Sequence, residues 1–364
     1  MAITRIGNPA IADIREPNFR NIIINGDMSQ SQRSTSVSSI TGSGYSTVDR
    51  WNIVLSGLGT WTQSQSTDVP SGQGFATSLK MDCTTADASP AAGDFLFFNQ
   101  RVEGQNVQYL KKGTSSAEST TLSFWVKSNK TGTYICELDD NDNTRNINKS
   151  YTINSANTWE KKTITYAGDT TGAFGNDNGN SLQVIWWLGA GSTYSSGTLN
   201  NAWEGTTNAN RAVGQVNLAD STSNEWYVTG VQLEAGSVAS DFEFLPVDVN
   251  LQRCQRYYFR RQGDGSDQRA VSNGMASETN RYRGVFIFPI TMRANPTVTE
   301  SALETLRAGA QNDAVSLNAT LDASINAVTL QLDTDSGTPY TQGDALIVRT
   351  TSSTSAFLAM DSEL

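Results

Sequence analysis

Short segments whose hydrophobicity alternates with period two, set between loops rich in Gly, Asn, Asp, Ser and Thr, constrain this chain more than any other feature. In Thr121–Ser128, Leu122, Phe124 and Val126 fall on one face and Ser123, Trp125 and Lys127 on the other. In Ser181–Leu188, Leu182, Val184, Trp186 and Leu188 lie together, with Ile185 and Trp187 opposite. Glu225–Leu233 repeats the pattern and closes at Ala235-Gly236. Such alternation describes a strand with one face on a core. Shorter runs near 51 to 55, 75 to 82, 95 to 103, 133 to 138 and 159 to 166 bring the total to about eight strands at sandwich spacing. Ile22, Ile23 and Ile24, ending at the turn-forming Asn25-Gly26-Asp27, read as a further strand ahead of these.

With 364 residues and about 150 per domain, two domains are expected. Residues 1–20, broken by Gly7, Pro9 and Pro17, read as an extended arm whose Ile3, Ile6, Ile11, Ile14 and Phe19 are candidates for docking onto another protein. Residues 21–247 form the first β-domain. A short helical linker follows over 248–258, capped by Asp248, with Leu251, Cys254 and Tyr258 on one stripe. Strands return over 259–364, read as a C-terminal β-sandwich, with one or two helical turns over 301–310 suggested by Leu303, Leu306 and Ala310. No repeat, heptad seam or collagen-like period marks a fibrous shaft.

Charge and residue types then narrow the function. A net charge of −10 opposes binding to nucleic-acid phosphates, which needs clustered Lys and Arg. The chain has no histidine, which excludes His-containing hydrolytic triads and removes the commonest zinc ligand. Cys83, Cys136 and Cys254 are odd in number and lack any Cys-x-x-Cys, so folding in a reducing cytosol is expected. No stretch has the length of a membrane span, and the N-terminus lacks a signal-peptide core. Assembly in a host cytoplasm and release by lysis fit both observations.

Three stretches carry a family resemblance: Asn21-Ile-Ile-Ile-Asn-Gly-Asp-Met-Ser-Gln-Ser-Gln-Arg33, Val48-Asp-Arg-Trp51, and Val228-Thr-Gly-Val-Gln-Leu-Glu-Ala-Gly236 leading into Phe242-Glu-Phe-Leu-Pro246. Together with Asn250–Tyr258, Phe286–Pro296 and the closing Met360–Leu364, this combination resembles tail-fibre-like structural proteins of bacteriophages, whose main domain is similar to jelly-roll carbohydrate-binding modules. The resemblance implies an all-β chain, an antiparallel β-sandwich (jelly roll) followed by a second smaller β-domain. It also implies a virion component, with homotrimers common among phage fibres, rather than a particular ligand. The leading expectation is a non-enzymatic homotrimer that contacts other virion proteins and attaches to host surface glycan or protein, with neither nucleic acid nor membrane insertion.

A glycan site needs exposed aromatic rings, because the C–H faces of sugars stack on them. Trp61, Tyr194 and Trp203, beside loops, and Trp187, on the outward side of its strand, are the candidates, against a core role for most tryptophans. Trp51 and Trp226 are expected in the core. Arg253 and Arg256, with Arg260 and Arg261, are candidates for pairing with acidic groups of a neighbouring subunit, against a solvated helix face. No cofactor is expected. A structural calcium would use Asp27 or Glu234, as the resemblance implies, or the oxygen-rich run Glu137–Asn143, which otherwise reads as a solvated turn. Two other functions stay open: a decoration or tail-assembly protein binding only virion partners, and a polysaccharide depolymerase with a carboxylate pair.

Overall fold

A computed structural model describes residues 19–307, 312–335 and 340–364. The proposed arm, with Ile3, Ile6, Ile11 and Ile14, therefore lies outside the described residues. Contacts divide the described residues into two units: 19–29, 36–46 and 51–245 form unit 1, and 30–35, 47–50 and the described part of 246–364 form unit 2.

Unit 1 is an antiparallel β-sandwich. Its first sheet has the order β1 (Ser36–Ile40), β3 (Thr60–Ser66), β4 (Ser78–Thr85), β12 (Glu225–Ala235), β6 (Thr120–Ser128), β9 (Glu160–Tyr166). The second runs β11 (Glu204–Gly205), β8 (Arg145–Ile153), β7 (Gly132–Asp140), β10 (Asn180–Ala190), β5 (Phe95–Glu103), β2 (Asn52–Ser56). From β4 to β7 the chain changes sheet at every step, as in a jelly roll. The faces follow the alternation in the sequence: Leu122, Phe124, Val126, Val184, Trp186 and Leu188 are buried between the sheets. Trp51 stacks on Phe98 at 4.7 Å between ring centroids, and the edge-on ring pairs Trp51–Trp186, Phe124–Trp186 and Phe98–Trp226 extend that aromatic core. Offset and edge-on pairs of this kind contribute about 0.5–1.5 kcal/mol each beyond the area they bury.

The Ile22–Ile24 run is buried but is not a strand. Side chains take most of its backbone groups: the Ile24 N–H donates to Gln100 Oε1 and the Ile24 carbonyl accepts from Gln100 Nε2, at 2.7 and 2.8 Å, while the Ile22 N–H donates to the Leu233 carbonyl at 2.9 Å. Once those groups are paired, a strand neighbour is not needed.

Unit 2 is the smaller β-unit. A closed barrel of β14 (Ala270–Glu278), β15 (Arg281–Ile287), β19 (Ala327–Thr334), β18 (Asn312–Leu321), β17 (Leu303–Arg307) and β20 (Ala345–Thr350) adjoins a three-stranded sheet of β13 (Tyr258–Gln262), β21 (Phe357–Asp361) and β16 (Thr297–Ser301). The expected second sandwich is thus a barrel, whose closure leaves no edge strand to protect. Of the expected helical turns over 301–310, the described residues 303–307 form β17 instead, and Ala310 lies outside the described residues. Ala302, at a φ of 51°, breaks the chain between β16 and β17, and Leu303 and Thr305 then point inward together with period two. The helix Val247–Gln255 starts a residue before the proposed cap, with Pro246 at the cap position and Asp248 in the first turn. It belongs to unit 2, where Asn250 and Cys254 are buried.

The segments 30–35 and 47–50 supply unit 2 with charge. Arg33 and Arg50 both reach the Glu363 carboxylate, while their guanidiniums lie 3.6 Å from the Tyr258 ring centre and 3.4 Å from that of Tyr257. Asp49 accepts from the Gln32 amide, and burial nonetheless pushes its carboxyl up to about 6.

Candidate functional site

The register of the second sheet sets which side chains leave its outer face. Asn52, Asn99, Ile185, Glu137 and Asn148 form one row across β2, β5, β10, β7 and β8. Beside it runs Arg101, Gln183, Asp139 and Asn146. On the other side Val54 pairs with Phe97 and Phe97 with Trp187. An outer sheet face in contact with water usually carries short polar and charged side chains; this one carries aromatic rings and a band of amides and carboxylates.

Over β7, β8 and part of β10 the face is roofed by the loop 191–217. Trp187, Ile135 and Ile185 pack there with Ala212, Tyr194 and Leu199, and Phe95 and Phe97 complete the cluster. Trp187 and Tyr194 come together at 5.5 Å between centroids, as two of the proposed sugar-stacking residues, but Trp187 is fully buried and Tyr194 is half-buried. The Trp187 indole N–H donates to Glu137 Oε2, which removes that ring from any direct role in stacking on a ligand. Trp61 is likewise buried, its N–H donating to the Leu58 carbonyl. The causes differ: Trp187 faces outward and the loop covers it, whereas Trp61 lies on the buried face of β3 with Gln63, opposite the buried Cys83 and Met81 of β4.

Glu137 sits at the centre of a hydrogen-bonded network. Its carboxylate accepts from Arg211 Nε, Asn146 Nδ2 and Trp187 Nε1 at 2.8–2.9 Å. Asn200 donates to Asn146, and Asn210 to Asn200. In the adjoining row Asn146 is buried while Arg101, Gln183 and Asp139 are half-buried; Asn99 donates to Gln183 Oε1 at 2.8 Å, and Gln183 Nε2 reaches Asp139 at 3.3 Å. Burial, reinforced by the nearby Glu137 charge and opposed by Arg211, pushes the Asp139 carboxyl up to about 7. The buried Asn99 Oδ1 has no hydrogen-bond partner. Arg101, Gln183 and Asp139 are thus the part of this face where half-buried groups able to meet hydroxyls stand side by side, with Phe97 across the Asn99 row in the roofed cluster. Sequence reasoning passed over them. The signal was Asn99-Gln100-Arg101, three polar residues inside a strand otherwise rich in aromatic and aliphatic side chains.

The remaining candidates lie elsewhere. Trp203 donates to the Ala167 carbonyl and its ring centre is 5.2 Å from the Lys112 ammonium, which is buried against Asp140 and Asp169. The oxygen-rich run divides: Glu137 and Asp140, in β7, are buried and paired with Arg211 and Lys112, whereas 141–143 form the expected turn, with Asn141 and Asp142 exposed. Glu234 accepts from Ser240 and Gln232, and Asp27 from Ser29. Among the described residues no group of three or more acidic, Cys or His side chains is placed to share a metal ion. Phe19 is exposed. Arg253 and Arg256 are half-buried and already interact within the chain, and Arg260 lies 4.1 Å from the Phe357 ring centre.

No protein-family model and no curated protein sequence matches the chain. Solved structures similar to it include the enzymatically active domain of tailspike protein 4 of bacteriophage CBA120, at 14% identity and a TM-score of 0.32, over 59% of this chain and 21% of that one. A putative sugar-binding protein of Bacteroides thetaiotaomicron aligns at 14% identity and 0.31, over 59% of this chain and 99% of its own. A CBM4 carbohydrate-binding module aligns at 14% and 0.30, over 58% and 97%. The chain thus spans about a fifth of the tailspike domain it matches. Likenesses of this size decide neither ligand nor role.

Proposed function

We propose that this protein is a non-enzymatic subunit of a bacteriophage virion appendage, and that unit 1 attaches to host surface glycan through the outer face of its second sheet. The observation that carries this reading is the half-buried group Arg101, Gln183 and Asp139, side by side on β5, β10 and β7. A guanidinium donates, a carboxylate accepts and an amide does both, which matches the mixed donors and acceptors of sugar hydroxyls. Glu137 is spent on three structural hydrogen bonds, so Glu137 and Asp139 do not form the free carboxylate pair a depolymerase needs. The decisive measurement is binding of the labelled full chain to a panel of bacterial envelope polysaccharides. Saturable binding, weakened about tenfold by Gln183→Ala or Arg101→Ala, is expected. Binding that both substitutions leave untouched would remove the site, and release of oligosaccharide would replace attachment with hydrolysis.

A second reading, a decoration or tail-assembly protein that meets only virion partners, is favoured by a separate observation. Met275, Val285, Ile287 and Ile347 are exposed on the adjacent barrel strands β14, β15 and β20, with Val285 and Ile347 both paired across Asn273. Exposed apolar groups gathered in this way mark a protein contact. In the attachment reading the same face joins copies into a homotrimer.

A further inference from the structure

The outer face of the first sheet carries a recess formed by none of the residues above. Strand β12 bulges between Thr229 and Gln232, where Gly230 takes a φ of 61°. A Cβ on Gly230 would lie 2.5 Å from the Phe75 ring, so the glycine is what lets Phe75 lie against the strand. Phe75, Phe242 and Phe244 form one wall, with centroids 4.8–5.1 Å apart. Trp125 forms the other; it is half-buried, and the register sets it between Thr229 on β12 and Lys161 on β9. The space they bound, together with Gln73 and Asp241, is about 340 Å³.

Gln73, Lys161 and Asp241 are exposed, and their side chains make no hydrogen bond or ion pair with any described residue. Phe244 stays 51% exposed although it lines the wall, so the aromatic surface here is not consumed by the core. One unpaired donor, one unpaired acceptor and one amide that is both, arranged around an indole face, are what a pyranose requires: a flat apolar face and a rim of hydroxyls. The ammonium and carboxylate cancel in charge, which favours an uncharged ligand over a uronic acid or an amine. The volume falls at the lower end of small-ligand pockets, roughly one or two sugar rings.

We propose that this recess is a second carbohydrate-binding site, which stacks a neutral mono- or disaccharide unit on Trp125 and holds its hydroxyls with Lys161, Gln73 and Asp241. It rests on the reading of unit 1 as a glycan binder and adds a site on the opposite sheet, so that one sandwich grips two stretches of polymer. The test is fluorine NMR of the full chain labelled with fluorotryptophan and titrated with lactose, cellobiose, maltose and diacetylchitobiose. The Trp125 resonance is assigned by Trp125→Phe. At least one sugar should shift it saturably, with affinity falling about tenfold in Lys161→Ala and in Gln73→Ala and unchanged in Gln183→Ala. Lys161 and Gln73 are exposed, so these variants fold. A response confined to the Trp187 resonance and abolished by Gln183→Ala would overturn the second site while supporting the first. A silent spectrum with all four sugars would overturn this proposal, and polysaccharide binding lost in Gln183→Ala would show that the first site survives it.

Discussion

Lys112 shows how single residues set the interior of unit 1. Its ammonium bonds Asp140, lies 3.0 Å from Asp169 and donates to the carbonyls of Thr171 and Gly172 at 2.9 and 2.8 Å. Burial pushes the Asp169 carboxyl up, but hydrogen bonds from Arg145 and Lys112 outweigh it and hold the group below the usual carboxylate range. Replacing Lys112 by Met leaves the buried Asp140 without its cation and Asp169 with Arg145 alone, and a loss of about 3–5 kcal/mol in urea unfolding is expected, partly recovered by adding Asp140→Asn. A wild-type midpoint for Lys112→Met would show that water or another cation serves equally well. Asp139 makes the opposite prediction. Its folded value of about 7 lies above the unfolded one, so the native state holds a proton that the unfolded chain has released between about pH 4 and 7. The stability Asp139 contributes is present in acid and is lost as pH rises through 7. Asp139→Asn should therefore gain on wild type as pH rises, by on the order of 1–2 kcal/mol after allowing for partial exposure, and a pH-independent difference would refute it.

At the scale of elements, backbone pairing and side-chain supply compete. The Ile22–Ile24 run has strand composition, yet Asn21 and Gln100 take its hydrogen bonds, so it lies as an irregular buried segment. Strand β12 departs from regularity for a different reason, since its bulge at Gly230 makes room for Phe75. Gly230→Ala combines a left-handed φ with a ring contact that cannot be kept, and a loss of about 2 kcal/mol or more is expected in chemical denaturation, together with loss of any Trp125 response to sugar. Unchanged stability would mean that Phe75 moves freely. In β17 the residues Leu303 and Leu306, three apart, suggest a helix, whereas barrel closure pairs Leu303 with Val315 and Thr350. A local spacing of three cannot outweigh two flanking ladders.

At the scale of the whole chain, the units do not follow a single cut in the sequence. A fragment of residues 246–364 lacks 30–35 and 47–50, and with them Arg33 and Arg50, which cover Tyr258 and Tyr257 and pair with Glu363. It should unfold well below the full chain in a thermal scan, and Glu363→Gln in the full chain should lower stability in the same direction by about 3 kcal/mol. A fragment as stable as the full chain would make those segments dispensable. If the proposed appendage reading holds, the full chain has a trimer mass in solution and removal of residues 1–20 abolishes incorporation into particles while both β-units stay folded; a monomeric mass or surviving incorporation would count against it. The sequence by itself determined the all-β class, the inward faces of β6, β10 and β12, and the core places of Trp51 and Trp226, because period-two burial is a local property that any sheet must satisfy. It did not determine which outward rings meet solvent. Trp187 and Trp125 are equivalent as outward residues of strands, and only the tertiary structure separates them: a long loop folds over the first, and a glycine bulge opens a recess beside the second. Exposure of an outward side chain depends on segments distant in sequence, and no local pattern encodes where they come to rest.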